Sequence, residues 1–228
     1  MHIRIATYNI HQCVGRDGIQ HPKRIATVLN ELNADIIALQ EVTSHPKMSD
    51  DPLANLAEAT EMQPFEGFTL SSADARYGNA FLSKLPVAAV NRIEISVKKR
   101  EPRGVIEMTL NHNRQRVTLW ATHLGLGIHE RQQQINSLME VIDSADADVS
   151  ILLGDFNEWF PWGRPLRALN RWFTKVQSPA TFPSRSPFLK LDRIWVRPVN
   201  KLTTLRVHST KLSRVASDHL PLVADVAL

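Results

Sequence analysis

Four short segments, spread from one end of the chain to the other, each finish an apolar run with a polar residue suited to phosphate-ester chemistry. They are Thr7-Tyr8-Asn9, Leu39-Gln40-Glu41, Gly154-Asp155-Phe156-Asn157 and Ser217-Asp218-His219. One such segment means little; four suggest one site assembled at one edge of a sheet. They supply carboxylates, carboxamides and an imidazole but no thiol cluster. That inventory suits a hard cation such as magnesium, a bound phosphate and an activated water.

Glu41 follows the apolar stretch Ile36–Leu39. A carboxylate there can bind magnesium, which takes one or two protein carboxylates and keeps several waters; the plainer reading is a surface glutamate at a strand end. Gly154 permits a sharp turn after Val149–Leu153, which leaves Asp155 at the rim to polarise a water. Asn157 can donate its amide to a phosphate oxygen, or the same residues can simply close the strand as an Asx-type turn. His219 can stabilise a developing oxyanion or donate a proton near neutral pH. It works best with a carboxylate fixing its tautomer, and Asp192 in Leu191-Asp192-Arg193-Ile194 is the candidate. His123 in Ala121-Thr122-His123-Leu124 is a second strand-end histidine, a position more often structural than catalytic. The other seven histidines have no motif around them. No His-x-His or HExxH spacing occurs, which argues against a zinc cage, and there is no GxSxG elbow or Walker loop.

The elements that must hold these residues can be read from periodicity. Ile3, Ile5 and Thr7 alternate with polar neighbours, so the chain starts in a strand. A helix is expected over 22–33, with Pro22 in its first turn and Ile25, Val28, Leu29 and Leu32 on one face. Residues 35–40 read as a short strand buried on both faces. Another helix is expected over 51–60, strands over 79–83 and 87–95, and a hairpin pairing 104–110 with 116–123. The clearest helix is 129–143, with Ile135, Leu138, Met139 and Ile142 as its buried stripe. A strand over 148–154, a helix over 165–173 and strands over 191–197, 202–207 and 222–227 complete the pattern. Many strands and few helices, without strict alternation, argue against a pure Rossmann fold. They fit an α/β fold of two packed mixed sheets flanked by helices.

The whole chain sets the bounds. Its 228 residues suffice for one large domain, 1–228, with a substantial core. No repeat or linker divides it. No stretch of ~20 apolar residues suggests a transmembrane helix. Met1 leads straight into a strand without a secretory pattern, so a cytoplasmic location is expected. Cys13 is the only cysteine, so no internal disulfide can form. The formal charge of +4 is mildly basic. Local cationic groups such as Lys98-Lys99-Arg100 with Arg103 read as solvated faces, or as a surface for nucleic acid or a membrane.

Taken in order, these segments resemble the endonuclease/exonuclease/phosphatase superfamily, the magnesium-dependent phosphoesterases related to deoxyribonuclease I and exonuclease III. Thr7-Tyr8-Asn9 is similar to the first motif, Leu39-Gln40-Glu41-Val42 to the metal-carboxylate motif, and Tyr77-Gly78-Asn79-Ala80 with Leu82-Ser83-Lys84 to the strand that follows. Thr122-His123-Leu124, Gly154-Asp155-Phe156-Asn157, Leu191-Asp192-Arg193-Ile194 and Ser217-Asp218-His219-Leu220-Pro221 complete the series. The resemblance spans essentially the whole chain. It implies a four-layered α/β sandwich with the site at one end of the paired sheets. It also implies that Glu41 binds Mg²⁺, or Mn²⁺ as a substitute, with Asn9 close to it and Asp218 as a further candidate ligand. Asp155 would orient or deprotonate the attacking water, Asn157 would hold the phosphate, and His219 paired to Asp192 would stabilise the phosphorane-like state. His123 would contact a phosphate oxygen. Abasic-site nucleases of the family usually carry tyrosine there, so histidine is more similar to the deoxyribonuclease, sphingomyelinase and phosphatase branches.

For the substrate side, Arg76, Asn79 and Arg103 lie on or beside motif strands and are expected to reach the phosphate or its ester. Trp159-Phe160-Pro161-Trp162 follows the Asp155 motif, with Arg164 next. These aromatics and cations can stack a base, dip into a lipid interface, or pack on the helix that follows. The leading expectation is a monomeric Mg²⁺-dependent phosphodiesterase acting on a phospholipid head group or small diester. The alternatives are a DNA or RNA nuclease, and a non-catalytic binding module of the same fold.

Overall fold

The computed structural model describes residues 2–48, 50–72, 74–112, 114–160, 163 and 165–228. Among them the chain forms two mixed sheets. The first contains β1 (His2–Asn9), β2 (Ile36–Ser44), β3 (Gln63–Ser71), β4 (Arg76–Ser83), β10 (Leu202–Val207) and β11 (Leu222–Ala227), in the order β10-β11-β1-β2-β4-β3. The second contains β5 (Ala89–Glu94), β6 (Gly104–His112), β7 (Gln115–His123), β8 (Val149–Asp155) and β9 (Asp192–Arg197), in sequence order. Each sheet has one parallel pair, β1 with β2 and β7 with β8; the other pairs are antiparallel.

Helices α1 (Pro22–Leu32), α2 (Pro52–Thr60) and the short α5 (Ser213–Ala216) lie over the first sheet. Helices α3 (Ile128–Asp143) and α4 (Leu166–Trp172) lie over the second. The local reasons are visible in the sequence. Proline opens both α1 and α2, where its missing N–H costs nothing. The Asp51 carboxylate caps α2 by accepting from Ala54 N. Asn33 ends α1 in the left-handed conformation that asparagine tolerates.

Three apolar cores separate the four layers. One joins α1 and α2 to the first sheet, one fills the space between the sheets, and one joins α3 and α4 to the second sheet. Alternation assigns each strand residue to a side. On β1, Ile3 and Ile5 enter the inter-sheet core while Ala6 and Tyr8 face the helices. On β8, Val149, Ile151 and Leu153 enter it while Leu152 faces α3. On β7 the inter-sheet set is Val117, Leu119 and Ala121; on β9 it is Ile194 and Val196.

The four-layer expectation holds, and most elements fall within a few residues of their expected limits. β3 has no counterpart in the sequence pattern. Its sequence QPFEGFTLS lacks clean alternation because it is an edge strand, exposed or half-buried except at Gly67. Helix α3 buries Glu130, Arg131 and Gln134 beside Ile135, Leu138 and Ile142, whereas Met139 is only partly buried. An apolar periodicity does not reveal buried polar residues whose partners lie elsewhere in the chain.

Candidate active site

The site is the last row of the inter-sheet core. Continuing the alternation, Asn9 follows Ile3 and Ile5, His123 follows Leu119 and Ala121, Asp155 follows Ile151 and Leu153, and Asp192 precedes Ile194. All four therefore aim into the seam between the sheets, at the end where apolar packing stops. Glu41 does not fit this parity, since it shares the odd positions of Ile37 and Leu39, which face the helices. A bulge between Leu39 and Val42 corrects it. Glu41 takes a positive φ of 57°, Val42 takes over the helix-facing position, and the carboxylate turns to the seam. Such a conformation costs about 1–3 kcal/mol in a non-glycine residue and marks sites where function over-determines the backbone.

Asn9 ties the two sheets together here. Its Nδ2 donates to Glu41 Oε1 at 3.0 Å and to Asp155 Oδ2 at 3.1 Å, while Oδ1 accepts from His11 N at 3.0 Å. Asp155 sits at the centre. Its Oδ1 accepts from Asn157 N at 2.9 Å, an Asx-type turn that holds Asn157 at φ 50°. Its Oδ2 lies 3.6 Å from His123 Nε2 and 3.7 Å from His219 Nε2. Both contacts are too long for hydrogen bonds, so that oxygen keeps accepting capacity for a water.

The two imidazoles are buried and differ in charge. His219 Nδ1 lies 2.9 Å from Asp192 Oδ2, which also accepts from Thr181 Oγ1. Burial opposes a charge on His219. The Asp192 and Asp155 carboxylates, the Asp192 hydrogen bond and Asp218 outweigh it and raise the imidazole to about 10, so it is an imidazolium at neutral pH. Phe182 packs on its ring, with centroids 4.9 Å apart. Ser217 sets the loop by donating its hydroxyl to Asn9 O at 2.8 Å and accepting from His219 N at 3.2 Å. His123 is pushed the other way, to about 4. Burial is the largest cause, and the charges of Arg103 and His219 add to it against Asp155. Geometry agrees: Arg103 Nη1 faces Nδ1 at 3.3 Å and Asn157 Nδ2 faces Nε2 at 3.1 Å. An imidazolium cannot satisfy two donors, so His123 is neutral.

Behind the site lies a group of buried charges. Arg131 donates to Leu126 O at 2.6 Å and contacts Glu158 Oε2 at 3.4 Å, with both side chains at most 2% exposed. Glu158 Oε1 accepts from Phe160 N. Arg193 is lowered by burial, against which the charges of Glu158 and Asp192 act. Gln134 accepts from Gly125 N and Glu130 from Gly127 N. The start of α3 thus anchors the loop after His123 and the loop after Asn157 together.

The carboxylates fit a hard divalent cation. Burial raises Glu41; the Asn9 hydrogen bond and His11 oppose that, and the nearby Asp155 and Asp218 charges reinforce it. Such a carboxylate gains from a cation. Glu41, Asn9 and Asp218 offer oxygen donors on this side. Asp155, Asp192 and His219 also bring ligand atoms within 4.8 Å of one another. There, however, His219 Nδ1 is taken by Asp192, and the ring is a cation itself.

The remaining expected residues divide. Arg103 joins the site through His123. Asn79 is buried beside it, its amide 3.5 Å from Gly104 O. Arg76 pairs with Glu66 at 3.0 Å and lines a depression with Gln12, Thr43, Tyr77 and Glu101 that adjoins the site, since Glu101 pairs with Arg103. Trp159 is exposed at the rim; Trp162 and Arg164 lie outside the described residues. His11 carries no motif, yet its Nδ1 stands 4.0 Å from Asp218 Oδ1. His11, Gln12 and Cys13 are three consecutive left-handed residues with φ of 47°, 53° and 62°, and they turn the imidazole back toward the site. The only sequence signal was its place two residues after Asn9.

Comparison with known proteins agrees with the geometry. The uncharacterized protein YbhP of Escherichia coli K12 is 29% identical over 247 aligned positions, covering 99% of this chain and 96% of that protein. An endonuclease/exonuclease/phosphatase family protein from Leptotrichia buccalis has the same fold, with a TM-score of 0.79, 16% identity and coverage of 99% and 100% of the two chains. The D. rerio TDP2 structure complexed with single strand DNA product superposes with a TM-score of 0.75 and 16% identity, over 100% of this chain and 99% of that one. Residues 6–219 match the Endonuclease/Exonuclease/phosphatase family, so the chain belongs to that family and is a metal-dependent phosphoric ester hydrolase.

Proposed function

We propose that the protein hydrolyses a phosphodiester, of a phospholipid head group or a similar small diester, with Mg²⁺ as its cation and Asp155, His219, Asp192, Asn157 and His123 as its catalytic groups. One observation carries the reading: Asp155 Oδ2 sits between an imidazolium and a neutral imidazole, with an amide donor from Asn9 holding it. A divalent cation held by Glu41, with Asn9 and Asp218 beside it, would supply charge neutralisation at the phosphate. Asp155 accepts the proton of the attacking water. His219, kept charged by Asp192, donates toward the oxygen on which negative charge develops. Arg103 can only donate, so the neutral His123 carries its proton on Nε2, which faces the Asn157 amide. Two donors side by side can share one acceptor, and a phosphoryl oxygen would supply it.

A nuclease is the second reading. The exposed Trp159 beside the site favours it, since an indole stacks any base. The test is a hydrolysis panel with Mg²⁺ on wild type and His219→Ala: an aryl phosphodiester, an aryl phosphomonoester, plasmid DNA, abasic-site DNA and phospholipid vesicles. Turnover of a diester that needs both the cation and His219 is expected, with a loss of about 100-fold or more in the variant. Full activity in a folded His219→Ala protein would remove the assignment. A preference for DNA would move it to the nuclease reading.

A further inference from the structure

Exposed apolar side chains are not spread over this molecule. Of the nine large hydrophobic residues that stand out among the described residues, only Val199 lies at the end opposite the site, in the turn between β9 and β10. The other eight sit in loops or strand ends around the active-site mouth. Ile19 follows β1, Met48 follows β2, Trp159 and Phe160 follow β8, and Phe188 precedes β9. Leu126 follows β7, with Ile128 opening α3 behind it, and Leu70 ends β3. Leu126 and Phe188 are each 71% exposed, although single exposed hydrophobics normally scatter over all faces.

Exposed cations stand at this end too. Lys98, Lys99 and Arg100 stand exposed in the loop from β5 to β6 at the active-site end, with Arg185 near Phe188, while Lys47 beside Met48 is paired with Asp74 at 3.2 Å. The loops at the other end carry both signs, Glu61, Asp146 and Asp148 with Lys84, Arg114 and Lys201. The end into which the reacting groups open is therefore apolar-tipped and carries an exposed cationic loop.

We infer that this end docks on an anionic lipid bilayer, with the loop tips entering the interface and the lysines and arginines meeting head-group phosphates. This rests on the lipid reading of the substrate and names the surface on which it is met. The tips stand on separate loops at one end of the molecule, where several can enter an interface together. Ile19, Met48, Leu70, Leu126 and Ile128 offer no aromatic face, so they gain nothing from stacked bases. Aliphatic and aromatic tips beside exposed cations are what an anionic interface takes up.

The test is sedimentation with vesicles in EDTA, so that no lipid is consumed. Phosphatidylcholine vesicles are compared with vesicles that also contain phosphatidylglycerol. Wild type and the double variant Leu126→Ser, Phe188→Ser are both run; the variant should hydrolyse a soluble aryl phosphodiester with Mg²⁺ at the wild-type rate. Wild type is expected to sediment with the anionic vesicles. The double variant is expected to partition at least about tenfold more weakly. No sedimentation with either vesicle overturns the inference, and so does equal sedimentation of the two proteins. Single-stranded DNA binding that is tighter than vesicle binding and unchanged in the variant overturns it in favour of nucleic acid. Loss of aryl diester turnover in wild type speaks only against the proposed activity, because the vesicle experiment involves no turnover.

Discussion

Replacing Asp192 with asparagine tests the central electrostatic claim, that His219 works as a cation. The substitution keeps the shape, and one carboxylate oxygen of Asp192 already lacks a hydrogen-bond partner in its buried position. It removes one charge at 2.9 Å from the imidazole. At an effective dielectric of about 20, that pair is worth about 6 kcal/mol, against a burial cost of several kcal/mol for the imidazolium. Asp155 at 3.7 Å then has to hold the proton with only Asp218 to help. Burial, the largest single influence, is expected to prevail and leave His219 neutral above about pH 7. The rate at pH 8 should fall about 100- to 10,000-fold. The pH–rate profile discriminates further: wild type should keep its charged His219 up to about pH 10, whereas Asp192→Asn should recover activity as the pH is lowered. Stability gives a second reading of the same charge. A group raised from 6.5 to about 10 on folding contributes stability that is complete below about 6.5 and is lost as the pH rises through 10. The difference in melting temperature between wild type and Asp192→Asn should therefore narrow from pH 7 to pH 10. A folded variant with an unchanged profile and a rate within about threefold of wild type would refute the argument.

Glu41→Gln should raise the half-saturating Mg²⁺ concentration by about tenfold or more, with part of the rate regained at saturation, as read in a cation titration of diester turnover. Glu158→Gln leaves Arg131 buried without its ion-pair partner and Arg193 with only the Asp192 charge nearby, and should cost about 3–5 kcal/mol in denaturant unfolding. Adding Arg131→Met to that variant should return part of the loss. Gly154→Ala should cost about 2 kcal/mol or more in the same assay, since φ is 142° and the new Cβ would meet the Thr122 carbonyl.

Strand-end residues were legible because alternation is a local property. Once Ile3, Ile5 and Thr7 are read as one face, Asn9 follows on it, and the same holds for Asp155 after Leu153. Glu41 was found by its type and motif, but its direction was not legible: alternation alone would bury it under α1 and α2, and only the bulge turns it round. The arrangement of His11 depends on three left-handed residues with no glycine or periodicity to announce them. Arg131 and Glu158 were hidden for another reason. Each looks like an ordinary surface charge on its own element, and their burial follows from a partner 27 positions away. Edge strand β3 lacked a pattern because most of its residues bury neither face fully.

The seam has a consequence for how the protein fails. Glu41 stands on the six-stranded sheet and Asp155 on the five-stranded one, and Asn9 joins them across the gap. Neither sheet holds a working half. A small slip or loosening of one sheet over the other, caused by a remote cavity in the inter-sheet core, would part the catalytic row before any strand unravels. Turnover is then a sensitive gauge of how the two halves are docked: mild denaturant or core erosion should silence it while the circular dichroism still looks native.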